Sequence, residues 1–265
     1  MHLHRIVVSL SLLLPVRANP AGAESPLARA WQQLATFQAK EALETFVSDP
    51  RPEARLGQAL SLLALQPSTQ NNVDRAESLL RTLADDPQNP AYADALYFLA
   101  RIAQVHRTIP DPDEALRRYS VLMEAIPGHP LAQLAEVKVA ILRLYVLPHP
   151  EAVAGRDLFA ELDTRGGSLT DPDALRDFYT VLADAAAHFE IDFERRYAFL
   201  RKIDATGRTG GNMRADLLVR LGETARLLER PAEARTYYER FLAEFPRNNR
   251  AHVVTERLQS LPPGD

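Results

Sequence analysis

The chain has 265 residues, 46% of them apolar, with a formal net charge of −4 and no cysteine. That apolar content supports a buried core and excludes intrinsic disorder, while the lack of cysteine excludes disulfides, thiol nucleophiles, iron–sulfur clusters, cysteine-based zinc sites and the lipid anchor of a bacterial lipoprotein. A mildly acidic chain without a basic block cannot neutralise a phosphate backbone, which excludes nucleic acid as a partner.

Residues 1–23 read as a secretory signal. Arg5 supplies a thin positive start, and the apolar run 6–14 is far shorter than the ~20 residues that span a bilayer. Pro15 ends that run. Cleavage is expected after Ala18 or after Ala23, and either cut removes Arg5 and Arg17 and takes the net charge to −6. The mature chain, 24–265, is expected in the periplasm or outside the cell, with no transmembrane segment.

The rest reads as helix hairpins. Glycine is scarce, alanine and leucine abound, no stretch alternates with period 2, and many of the 19 prolines punctuate the segments. Residues 26–49 give a short first pair, with Trp31 and Leu34 facing Ala42 and Phe46; Trp31 is expected to cover the end of the stack. Residues 52–87 give a second, with Leu56, Gly57 and Leu60 against Ala76, Leu80 and Leu83, joined by an expected polar loop over 66–72. In 91–127, Leu96, Leu99, Ala100 and Ala103 face Ala115, Tyr119 and Leu122, and Pro127 stops the second helix. Asp111-Pro112 and Asp171-Pro172 read as an N-cap followed by proline in the first turn. Residues 131–163 form a more apolar pair, whose stretch 135–147 is expected to run as one buried helix. Residues 172–204 set Phe178, Leu182, Ala185 and Phe189 against Phe193, Tyr197 and Leu200. A glycine-rich loop, 207–211, leads to the last unit.

That unit, 215–248, carries the clearest pattern. Leu218, Leu221, Ala225 and Leu228 mark one helical face, and Gly222 lies on it although glycine costs ~1 kcal/mol in mid-helix. Close approach by another helix explains it, and Ala234 is the expected partner, with Tyr238 and Phe241 below and Pro246 as the stop. With Ala215 as position 1, Leu218, Leu221, Gly222 and Ala225 stand at 4, 7, 8 and 11, and Ala234, Tyr238, Phe241 and Pro246 at 20, 24, 27 and 32. This spacing resembles the tetratricopeptide repeat (TPR), with Leu and Ala where the family favours Trp and Tyr at 4 and 11. Ala100, Ala115, Tyr119 and Pro127 fit the same frame. A closing helix is expected over 250–261.

The stretches YYERFLAEFPRNNRAH and ALYFLARIAQ…ALRRYSVLMEAIPGHPLAQLAEVKVA further resemble bacterial cell-envelope TPR proteins, the BamD-like lipoproteins and the Tol-Pal coordinator, although the lipidated cysteine of the former is missing. The resemblance implies an all-α right-handed solenoid of five to six helix pairs with a C-terminal capping helix. It implies a non-enzymatic scaffold that binds a protein or peptide in its concave groove, with Tyr97, Arg101, Glu223 and Arg226 as groove contacts by family position. Alternatives are an accessory solenoid of a peptidoglycan enzyme system, or a small-ligand carrier. No catalytic constellation, cofactor or metal site is expected: the histidines lack metal-ligand spacing and no G-x-S-x-G elbow occurs.

Overall fold

The computed structural model describes residues 25–147 and 152–262. The expected signal segment and its two cleavage sites lie outside them. Every regular element among the described residues is helical, so the fold is all-α. The chain divides between Pro110 and Asp111 into two compact units, within a hairpin that the spacing assigned to 91–127.

The first unit contains α1 (Pro26–Ala35), α2 (Ala39–Val47), α3 (Pro52–Ala64), α4 (Gln70–Ala84) and α5 (Tyr92–Arg101), and each helix packs on the next in sequence. Ser25 caps α1 through its side chain, and α1 and α3 start on proline, where a missing N–H costs nothing. The core joins Leu34, Ala42, Phe46, Leu60, Leu80 and Leu83. Burying each large side chain contributes roughly 1.5–3 kcal/mol. Trp31 packs edge-on against Phe46 at 5.0 Å between ring centroids. The polar stretch before α4 is shorter than expected. Thr69 accepts the Asn72 N–H through Oγ1, and this cap draws Gln70, Asn71 and Asn72 into the helix.

The second unit contains α6 (Pro112–Ala125), α7 (Pro130–Ile141), α8 (Ala152–Gly166), α9 (Pro172–His188), α10 (Phe193–Ala205), α11 (Gly211–Leu227), α12 (Pro231–Glu244) and α13 (Ala251–Gln259). Successive packing recurs from α9 to α13, and α7 also packs on α9. The Asp-Pro pairs cap as expected: Asp111 accepts from the Glu114 N–H, and Asp171 from those of Asp173 and Ala174. Pro127 and Pro246 lie just beyond the ends of α6 and α12. Gln133, buried on α7, donates to Thr170 Oγ1 and accepts from the Thr170 and Asp171 N–H groups at 2.8 and 2.7 Å, which fixes the approach to α9.

Two elements depart from the sequence reading. The apolar stretch 135–147 is not one regular α-helix: α7 ends at Ile141 and the chain widens into a π-helical turn, Leu142–Val146, closed by Leu147 N–H donating to Leu142 C=O at 2.8 Å. The same turn, Ile102–His106, follows α5. The second departure is at Gly222. The atoms nearest a Cβ placed there all belong to the Tyr238 ring, with Cδ1 at 2.6 Å and Cζ at 3.1 Å. The glycine makes room for a buried aromatic ring, and Ala234 is not its nearest partner. Gly57 makes the same room for Phe46, from the preceding helix.

Candidate functional site

The four residues assigned to a groove fall two to each unit. Tyr97 and Arg101, on α5, are 7% and 8% exposed. Tyr97 meets Phe98 edge-on, and Arg101 Nη1 donates to Gln104 Oε1 at 2.6 Å. Burial pushes the Tyr97 phenol up, against the pull of the Arg101 guanidinium. Their side chains are withdrawn from solvent, although the α5 residues that join the core of the first unit are Ala95 and Leu99. Helical position alone did not reveal this.

Glu223 and Arg226, on α11, are about one-third exposed. Glu223 Oε2 accepts from Arg226 Nη2 at 3.0 Å, its Oε1 accepts from Tyr238 Oη at 2.8 Å, and Arg257 lies 3.5 Å away. Burial, then the Glu223 carboxylate, pushes the Tyr238 phenol well above its ordinary value. Glu223 therefore ties α11 to α12 and α13. Its charge is met within the molecule.

Several other charged side chains on this unit also join one hairpin to the next. Asp184 on α9 accepts from Arg220 on α11 at 2.6 Å, Glu194 on α10 from Arg230 at 2.7 Å, and Asp204 on α10 from Arg240 on α12 at 3.0 Å. Each pair is 36 residues apart in sequence, as is the bond from Tyr197 Oη to Glu233 at 2.6 Å. Asp173 with Arg208 and Asp216 with Arg250 follow at separations of 35 and 34. This ladder went unread in the sequence, although acids at 184, 194 and 204 and arginines at 220, 230 and 240 make it visible. Asp204 also pairs with Arg214, which reaches Glu244. Burial pushes the Asp204 carboxyl up, but bonds from Arg240 and Arg214 outweigh it and hold the pKa below the usual range.

Two further surfaces stand out among the described residues. One is an open depression of about 440 Å³ at the start of the first unit, lined by Pro26, Leu27, Thr45, Ser48, Asp49 and Arg51. The Arg51 guanidinium grips Asp49 there and holds its carboxyl at about 2. The other is an aromatic cluster. Tyr145, in the second π-turn, lies 6.1 Å from His188 and 6.0 Å from Phe189, and the last two meet edge-on at 4.8 Å. Burial, then the nearby Asp184 charge, pushes the Tyr145 phenol up to about 12. Arg220 stands beside Asp184. Sequence reading noted His188 only as lacking metal-ligand spacing and set Phe189 against Phe193, whereas both phenylalanines are exposed; it did not bring Phe189 to Tyr145, which belongs to a separate element.

Among the described residues no three metal-ligating side chains come together, and no described helix is long and apolar enough to cross a membrane. No protein-family model matches the chain, and no curated protein matches it in sequence. Among solved structures it is similar to a tetratricopeptide repeat protein of Parabacteroides merdae, at 16% identity and a TM-score of 0.44, covering 88% of this chain and 82% of that one. It is also similar to a thermophilic TPR protein of Thermus thermophilus, at 17% identity and a TM-score of 0.40, covering 79% of this chain and all of the other.

Proposed function

We propose that the protein is a non-enzymatic scaffold of the bacterial cell envelope, exported by its N-terminal segment, which binds a protein or peptide partner on its helix faces. The observation that carries the reading is the hairpin architecture. Successive helix pairs bury their apolar faces on each other, and the surface left over is a series of side-chain-studded helix faces suited to an extended polypeptide. The charge ladder supports a rigid platform, since it fastens the α9–α10 hairpin to the α11–α12 hairpin. The envelope location rests on the sequence of residues 1–23, and a role in envelope or outer-membrane assembly follows from the stretches that resemble envelope TPR proteins.

The test is expression of the full chain in its native cell, followed by fractionation, N-terminal sequencing and crosslinking with mass spectrometry. The expected result is an envelope product starting after Ala18 or Ala23, with reproducible crosslinks to specific proteins. A cytosolic product that retains Met1 would refute the envelope reading. Turnover of purified peptidoglycan that disappears on replacing a single carboxylate would refute the scaffold reading.

A further inference from the structure

We draw no further inference here: the strongest candidate, the surface cluster of Tyr145, His188 and Phe189 between the second π-turn and the end of α9, carries none, because nothing in the structure shows what covers it.

Discussion

Adding one methyl group at Gly222 sets two effects against each other, and their sizes decide the sign. Alanine is favoured over glycine within a helix by ~1 kcal/mol. Against that, the new Cβ would lie 2.6 Å from Tyr238 Cδ1, where carbon atoms pack comfortably at about 3.5–4.0 Å. The ring would have to move by about 1 Å. It has little freedom, being fully buried, with its hydroxyl donating to Glu223 at 2.8 Å. Overpacking of this kind costs ~1–3 kcal/mol, and weakening the hydroxyl–carboxylate bond adds about 1 kcal/mol. Gly222→Ala should therefore destabilise by about 1–3 kcal/mol, lowering Tm by roughly 3–10 °C. Thermal unfolding followed by far-UV circular dichroism is the assay. Gly128→Ala, where a Cβ meets nothing within 4 Å, should stay within about 0.5 kcal/mol of the parent. Introducing Gly222→Ala into Tyr238→Leu should be neutral or stabilising, because the obstacle is gone. A raised Tm for Gly222→Ala in the parent would refute the reasoning, since helix propensity would then be the only effect present.

Asp204→Asn removes the carboxylate that holds Arg214 and Arg240 and should cost about 2–3 kcal/mol by urea unfolding, with little relief from added salt because Asp204 and Arg214 are mostly covered. Burial, reinforced by Arg101, holds His106 down at about 4; the unfolded chain takes up that proton near pH 6.5, so stability is full above pH 6.5 and falls by up to about 3 kcal/mol on acidification to pH 4. Calorimetry of His106→Gln over this window should show a flatter Tm profile than the parent, and an identical profile would remove His106 from the account. On the alkaline side, burial raises the phenols of Tyr97, Tyr145, Tyr179, Tyr197 and Tyr238. The unfolded chain deprotonates near pH 10, so the stability they confer is full below pH 10 and lost as pH rises towards 12, and ultraviolet titration should show these phenols ionising late and together with unfolding.

How legible the fold was depended on distance along the chain. Leu218, Leu221, Tyr238 and Phe241 declare a helix face by local spacing, and all four are buried. The identity of Gly222's partner was misread because two small residues, Gly222 and Ala234, make an intuitive pair, whereas close packing sets a gap against a ring. The burial of Tyr97 and Arg101 was not legible, because helical position fixes a direction around the axis and says nothing of what lies in that direction. The π-turns left no trace in composition: Leu142 to Val146 is as apolar as the helix before it, and only the hydrogen-bond pattern changes. Thr69 was readable as a cap, but the polar Gln70-Asn71-Asn72 masked the helix it opens.

The ladder differs in kind from the core. Leu, Phe and Tyr supply most of the energy, and such contacts tolerate exchange among side chains of similar volume. An exposed ion pair contributes only about 0–1 kcal/mol, so Glu194–Arg230 and Asp184–Arg220 add little to stability singly. Their common separation of 36 residues gives them another effect. A slip of α12 by one turn against α10, about 5.4 Å, would keep apolar atoms in contact and yet break Tyr197–Glu233, Glu194–Arg230 and Asp204–Arg240 together. Polar contacts of long sequence separation thus fix the register that the apolar core leaves loose.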